Sequence, residues 1–358
     1  MTSSLAGDPI AERLSLFVAD GWMPGAAWWV EREGRCLSRG AVGSLGAGEG
    51  ALPARVETVY DLASLTKPLA TGLCSVLAAQ DGAFDLDRPL TEWLPELAGS
   101  GYEAVTAAEA AAHRGRLPAW APLYADGSTR DSYLRSIARI PPVEPGHTVY
   151  SDLGYLLLGF ALERASGQTL ARIFAERVAR PLDLDLGFGP VDPATAAPTE
   201  EGNRYEQGMA RDRGIELEVR THRLQGEVHD GNAAGLGGVA GHAGLFGTAA
   251  GVAAVAREIL SPRCLPLSEA SRQRLLQVGG NGRSFGFEAA SSTRAARELL
   301  PDDSPGHTGF SGTSLWLVPA RRVSLVLLSN RVHPEVQDRG FQAVRRAFHE
   351  EARVLAEF

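Results

Sequence analysis

Apolar and polar positions change their rhythm several times along the chain. Residues 11–19 carry a helical repeat, and the following PGAAWWVEREGRCLSRGAVG reads as two extended segments on either side of a Glu33-Gly34 turn, a hairpin. VETVYDLAS then leads into a helix over about residues 64–80, where Leu69, Leu73, Val76 and Leu77 share one face and Asp81-Gly82 ends the run. The middle of the chain predicts mostly helices: the Ala-rich 104–113, then 130–139, a strong one over 153–166 stopped by Gly167, and others over about 168–180 and 249–260. Between the last two, residues 189–247 are polar and glycine-rich, too long for a passive connection, and so are expected to shape a site. Strands return in GTSLWLVPARRVSLVLLSN, around a Pro319-Ala320-Arg321 turn, and a helix over about 336–355 closes the chain.

Strands at both ends and helices between them predict an α+β fold. An antiparallel β-sheet flanked by helices is built from residues 1–80 and 265–358, and a mostly helical domain, residues 81–264, is inserted with the active-site loops. The 358 residues, 44% hydrophobic and 22% charged, suffice for a sizeable core. A net charge of -8 with no basic run argues against nucleic acid and anionic membrane as partners. The three cysteines, Cys36, Cys74 and Cys264, fit neither a zinc pattern nor a disulfide framework and suggest a reducing compartment. The first residues show no basic, apolar and small-residue succession of a signal peptide. The location expected is therefore cytoplasmic, or periplasmic if a leader has been removed.

One compositional fact bears on chemistry. Of 35 basic residues only Lys67 is lysine. Lysine differs from arginine chiefly in that its amine can lose a proton and act as a base. Lys67 closes the tetrad Ser64-Leu65-Thr66-Lys67, and positions i and i+3 of a helix share a face. A serine hydroxyl needs a neighbour to take its proton, and a lysine whose pKa is lowered by burial can do so. Pro68 belongs in a first helical turn, which puts Ser64 at a helix start with its N–H free to hold an oxyanion.

Two further segments complete a set. Tyr150-Ser151-Asp152 precedes the helix at 153; the phenol suits general acid–base work if an ammonium lowers its pKa, and Asp152 also reads as an ordinary N-cap. His307-Thr308-Gly309 precedes the strand Ser314–Val318, a polar strand start suited to a peptide-like substrate, with Gly309 permitting close backbone approach. His222, His229, Asp230 and His242 lie in the glycine-rich stretch with spacings that match no common zinc motif, so no metal and no organic cofactor are expected. His113 reads as a helix-end residue bonded to a carbonyl.

S-x-x-K, a Tyr-x-Asp variant of Y-x-N, and H-x-G in that order resemble the serine β-lactamase and penicillin-binding protein superfamily. VYDLASLTKPLAT, VYSDLGYLLLG, GGVAGHAGLFGTA and GHTGFSGTSLWLVP look most like class C β-lactamase-related hydrolases and family VIII carboxylesterases. The resemblance spans nearly the whole chain and implies a β-lactamase/transpeptidase-like fold with the site between its two domains. It implies Ser64 as nucleophile, Lys67 as its base, Tyr150 as proton relay to the leaving group, and the N–H groups of Ser64 and Phe310 as oxyanion hole. It places His229 and Asp230 near the pocket mouth, and His307, with Thr308 and Gly309, where many members have Lys-Thr-Gly. Asp152 for the usual Asn and His307 for the usual Lys both disfavour an anionic substrate group. The expected substrate is a small, less charged ester or amide, with β-lactam or D-amino-acid peptide as further options. The alternative is a non-catalytic penicillin-binding-like protein holding a cell-wall peptide, against which the intact Ser, Lys and Tyr set argues.

Overall fold

Asp8 starts the first helix: its carboxylate accepts the N–H groups of Ile10 and Ala11, Pro9 fills the first helical position, and α1 runs Pro9–Ala19. The computed structural model describes residues 7–46, 50–144, 146, 148–337 and 339–358. The hairpin follows as β1 (Gly25–Arg32) and β2 (Arg35–Gly43), with both Glu33 and Gly34 at positive φ in its turn. Short strands β3 (Tyr60–Asp61), β4 (Gly187–Phe188) and β5 (Leu245–Gly247) form a small sheet in the order β3-β5-β4. Strands β6 (Glu288–Ala289), β7 (Pro305–Thr308), β8 (Ser314–Val318) and β9 (Val323–Ser329) join the hairpin in a six-stranded antiparallel sheet, β2-β1-β9-β8-β7-β6. Both ends of the chain thus meet in one sheet. The helices between them are α2 (Leu73–Gln80), α3 (Ala107–Ala111), α4 (Arg130–Arg139), α5 (Asp152–Ser166), α6 (Leu170–Phe174), α7 (Arg204–Arg211), α8 (Gly231–Gly235), α9 (Ala249–Leu260) and α10 (Glu269–Leu276). The chain ends on α11 (Gln342–Leu355).

Strand alternation assigns the two faces. Trp28 and Val30 of β1, Trp316 of β8 and Leu325 and Leu327 of β9 pack under α1 and α11. Ala27, Leu315, Leu317, Val326 and Leu328 face the other way, into the large core shared with α2, α5 and α9. All seven residues of β9 are therefore buried, which explains its nearly continuous apolar sequence. No helix among the described residues is long and apolar enough to cross a membrane.

Several elements differ from their sequence expectation. The expected 64–80 helix is α-helical only from Leu73; Ala63–Leu65 form a tight 3₁₀ turn and Lys67–Gly72 a wide turn in which the Leu73 N–H reaches back to the Pro68 carbonyl. The last helix begins at Gln342 rather than near 336, beyond Pro334 and Gly340, which are poor helix formers. The Ala-rich helix shrinks to five residues between a Thr106–Glu109 capping box and the positive φ of His113.

Some polar groups inside this core are matched, while others, such as Trp316 Nε1 and Ser324 Oγ, are left without a partner. His349 on α11 is fully buried behind Trp316; Ala295 O lies 2.9 Å from its Nδ1 and Ser314 Oγ 3.4 Å from its Nε2. Burial pushes its pKa from 6.5 down to about 4. The unfolded chain therefore binds a proton in this window and the folded one does not, so the contribution of His349 to stability is lost as pH falls below about 6.5. Replacing it by Gln removes that linkage. In urea unfolding, the stability of His349→Gln should rise relative to the parent by about 1 kcal/mol per pH unit between pH 6.5 and 5.

Candidate active site

Asp61, buried at the end of β3, folds the chain towards the site. Its Oδ1 accepts the Ala63 N–H and its Oδ2 the His229 N–H, both at 2.8 Å. Ala63 is thereby held at φ +47, a left-handed conformation that a non-glycine residue seldom adopts and that costs about 1 kcal/mol or more. Ser64 follows directly, at the start of the tight turn. The wide turn after it carries Lys67 inward, where it is completely buried. Lys67 Nζ donates to Ser64 Oγ at 2.9 Å and to the His242 carbonyl at 3.3 Å, and lies 2.7 Å from Asp152 Oδ1. It also sits 4.9 Å from the ring centre of Tyr150.

Asp152 is free to make this ion pair because it is not the helix cap. Ser151 is the cap: its Oγ accepts the Gly154 N–H at 3.2 Å and donates to the Pro118 carbonyl at 2.6 Å. His113 does not bond a carbonyl as its sequence context suggested. Its Nδ1 accepts the Ser151 N–H at 3.0 Å, while its ring packs 4.5 Å from that of Tyr150. Burial and nearby cations hold the ring neutral, well below the ordinary histidine pKa.

The electrostatics reverse one expectation. Burial alone pulls the Lys67 ammonium down, but Asp152 and Tyr150 outweigh it and hold the pKa above the ordinary lysine value. Burial likewise pushes the Tyr150 phenol up, with Lys67 only partly offsetting it. The site at rest is an ammonium–carboxylate pair beside a neutral phenol, not a ready free amine.

The strand side is built from β7 and the turn after it. His307 is buried, its Nδ1 2.8 Å from the Thr308 carbonyl and its Nε2 without a partner. Burial, Lys67 and Arg283 push it well below the usual range, so it is neutral. Gly309 is required by packing rather than by a ligand: a Cβ there would collide with Thr313 Oγ1 and the Leu62 carbonyl. Ser311 Oγ donates to the Asp61 carbonyl at 2.8 Å and Thr313 Oγ1 to that of Leu62 at 3.0 Å, tying this turn to the one that carries Ser64. The Phe310 N–H makes no hydrogen bond among the described residues.

Ser64, Tyr150, Asp152, His229, Asp230, His307, Thr308, Gly309 and Phe310 all line one cavity of about 440 Å³. The glycine-rich stretch closes its far side with Tyr205, Glu206, His229, Asp230 and His242. His229 pairs with Glu200 at 3.0 Å and stacks on Phe310, whereas His222 is exposed and pairs with Glu227. His242 Nε2 meets Asp230 Oδ1 at 2.9 Å. Burial opposes this pair, but mutual attraction wins, so Asp230 stays far below the usual carboxylate range and His242 above the usual imidazole one. Asp152, Asp230 and His242 bring ligand-type atoms within 4.8 Å of one another, yet the Lys67 ammonium already occupies Asp152.

A β-lactamase family profile matches residues 10–348. The chain belongs to the β-lactamase family. Its relatives include an Escherichia coli K12 protein named "Putative D-alanyl-D-alanine carboxypeptidase", 30% identical over 78% of this chain and 71% of its own. A Bacillus subtilis N-acetylmuramyl-L-alanine amidase is 28% identical over 88% of this chain and 79% of its own. The β-lactamase of Sulfitobacter sp. EE-36 superposes with a TM-score of 0.75 at 19% identity, over the whole of both chains. EstCE1, a hydrolase with promiscuous acyltransferase activity, does so with 0.72 at 19% identity, covering 97% of this chain and 100% of its own. The β-lactamase fold and a hydrolase relationship are therefore shown.

Within this β-lactamase-family pocket the motifs did not reveal Arg283, Glu288, Arg331 or Arg345. Arg283 lies over the Tyr150 ring at 5.6 Å and within 3.3 Å of Glu288, with its second terminal nitrogen buried and unpartnered. Arg345 is fully buried and donates to the Gly309 carbonyl at 2.8 Å, its pKa pushed down to about 9 by burial. None sits in a motif, and arginine is the chain's ordinary cation, so no local signal marks them. Among these contacts the buried pair is the most exposed to mutation. Lys67→Met strands the Asp152 carboxylate and should cost about 3 kcal/mol in urea unfolding, most of which Lys67→Met with Asp152→Leu should recover.

Proposed function

We propose that the chain is a serine hydrolase that works through a covalent acyl-enzyme on Ser64. The observation that carries this reading is the 2.9 Å contact between Ser64 Oγ, which lines the cavity, and the chain's only lysine, itself sealed from solvent. The Lys67 ammonium first gives a proton to the Asp152 carboxylate 2.7 Å away; Ser64 Oγ then attacks a carbonyl carbon as its own proton passes to the neutral Lys67 amine. The N–H groups of Ser64 and Phe310 receive the negative charge that develops on the carbonyl oxygen. Tyr150, beside Lys67, delivers a proton to the leaving group as its bond to the acyl carbon breaks. Water then repeats the sequence on the ester to free the acid and restore Ser64.

The substrate reading shifts with Arg283. His307 in place of lysine favours a less charged substrate when read alone, and the neutral state of its ring supports that. Arg283, however, lies in the cavity wall over the ring of Tyr150, the proposed proton donor to the leaving group, and carries an unpartnered nitrogen. The substrate favoured here is an amide or ester whose leaving part bears a carboxylate, such as a short peptide. The carboxypeptidase and amidase names of the relatives agree with that chemistry.

Two experiments test this. Mass spectrometry after a fluorophosphonate should find one adduct on Ser64, absent in Ser64→Ala; an unlabelled parent protein would overturn the acyl-enzyme reading in favour of a binding protein. Arg283→Met should lower kcat/KM roughly 10-fold or more for N-acyl amino-acid substrates, the worth of one charge-assisted hydrogen bond, and leave an uncharged nitrophenyl ester unaffected. Equal effects on both substrates would remove the carboxylate assignment.

A further inference from the structure

The Phe310 N–H belongs to the same rigid peptide unit as the Gly309 carbonyl. That unit is trans, the cis bonds among the described residues being Gly189–Pro190 and His333–Pro334. In a planar trans unit the C=O and the following N–H point in opposite directions, so whatever fixes the carbonyl also aims the N–H. Arg345 fixes this carbonyl. Its buried Nη2 donates to Gly309 O at 2.8 Å and to Thr313 O at 3.2 Å. The Gly312 N–H reaches the same Gly309 oxygen at 3.1 Å. The next peptide is held in a similar way: Arg331 Nε donates to the Phe310 carbonyl at 2.9 Å, and its guanidinium lies 5.0 Å from the centre of the Phe310 ring. Arginines thus take both carbonyls that flank the Phe310 N–H. The N–H itself, in a residue of the cavity wall, makes no hydrogen bond among the described residues.

Arg345 is poorly satisfied at rest. It enters from α11 with its Nε buried and unpartnered. Burial and the neighbouring Arg331 push its pKa down to about 9, and Glu288, which pairs with Arg283 at 3.3 Å, only partly offsets them. A buried cation short of negative charge is stabilised when negative charge develops nearby, and an interaction that strengthens only then lowers the barrier. In acylation that charge develops on the substrate carbonyl oxygen.

We infer that Arg345 is a positioning residue of the oxyanion hole: through the Gly309 carbonyl it aims the Phe310 N–H and, as a buried cation behind that peptide, strengthens the N–H as a donor. The inference rests on the reading of Ser64 as nucleophile and Phe310 as oxyanion donor. A guanidinium on the Gly309 oxygen draws electron density from the amide nitrogen towards that oxygen, which polarises the N–H. As Ser64 Oγ bonds to the carbonyl carbon, the π pair of the carbonyl moves onto its oxygen, which accepts the N–H groups of Ser64 and Phe310. When the π bond forms again the leaving group departs with its bonding pair and the proton from Tyr150. Arg345 keeps its own protons throughout. It acts on every oxyanion the site forms, whereas the role proposed for Arg283 is confined to substrates whose leaving part bears a carboxylate.

The test follows acylation of Ser64 in the full chain by an uncharged nitrophenyl ester and by an N-acyl amino-acid ester. Arg345→Met should lower the acylation rate at saturation roughly 10- to 100-fold for both, less than the loss of a whole oxyanion donor, and shift the half-saturating concentration less than about threefold. Arg345→Lys keeps a cation and a donor and should recover part of that rate. Infrared spectroscopy of the acyl-enzyme made with carbonyl-labelled nitrophenyl benzoate reads the hole directly. The ester carbonyl stretch should lie lower in the parent than after unfolding in urea, and should rise in Arg345→Met. A parent-like rate and stretch in Arg345→Met would overturn the inference. So would a loss confined to the amino-acid ester, which would make Arg345 a direct ligand of the substrate carboxylate. Should both variants fail to fold, guanidinium NMR of the parent gives the answer. The Arg345 signals should move when a fluorophosphonate places a phosphonyl oxygen on Ser64, and unmoved signals in the labelled protein overturn the inference. A parent that is not labelled at Ser64 overturns the acyl-enzyme reading together with this one, whereas a labelled parent matched by Arg345→Met overturns this one alone.

Discussion

A buried ion pair sets the terms for the rest of this structure. Lys67 is sealed from solvent, and an ammonium in such a place costs several kcal/mol unless a carboxylate meets it with good geometry. Asp152 meets it at 2.7 Å. That requires Ser151, one residue before the carboxylate, to cap α5, and Ser151 is in turn held by the Pro118 carbonyl and the His113 ring. His113 also packs against Tyr150. The helical part of the chain therefore presents Tyr150 and Asp152 together, as one consequence of how a single charge is satisfied.

Around that pair the pocket alternates charge. Lys67, Asp152, His242 and Asp230 follow one another from the proposed nucleophile into the glycine-rich segment, while Arg283 and Glu288 face them from the sheet side. Such an arrangement keeps the net field low while leaving individual groups poised to exchange protons. It also explains how His307 can be buried and neutral without emptying the pocket of positive charge, since arginines from outside the motifs supply it.

Much of this was legible in the sequence. The hairpin, the helices at 130–139 and 249–260 and the meeting of both termini in one sheet follow from periodicity, while Ser64, Tyr150 and His307, which share one cavity, were singled out by the resemblance that their motifs carry. What escaped shares a physical character. The 3₁₀ and wide turns around Ser64 depend on Asp61 and on packing at Gly72, which are tertiary contacts. The choice between Ser151 and Asp152 as cap depends on where Lys67 ends up, and local pattern ranks both residues as good caps. The sense of the Lys67 shift depends on the balance of burial against a partner whose position only the fold defines. Arg283 and Arg345 reach the pocket from positions with no sequence signal, and His242 looked like one loop histidine among several.

The hydroxyl ties from Ser311 and Thr313 to the carbonyls of Asp61 and Leu62 have a wider consequence. They join the turn bearing Ser64 to the turn bearing Phe310 within the protein itself, so the spacing of the two amides is a property of the scaffold. The opposite wall, drawn from residues 189–247, reaches that brace through the His229 N–H on Asp61 and the pairing of β5 with β3. Residues 189–247 can then change away from those anchors while the spacing of the two amides is kept. A scaffold braced in this way offers a structural reason why relatives named carboxypeptidase or amidase and solved structures named β-lactamase or hydrolase share a single architecture.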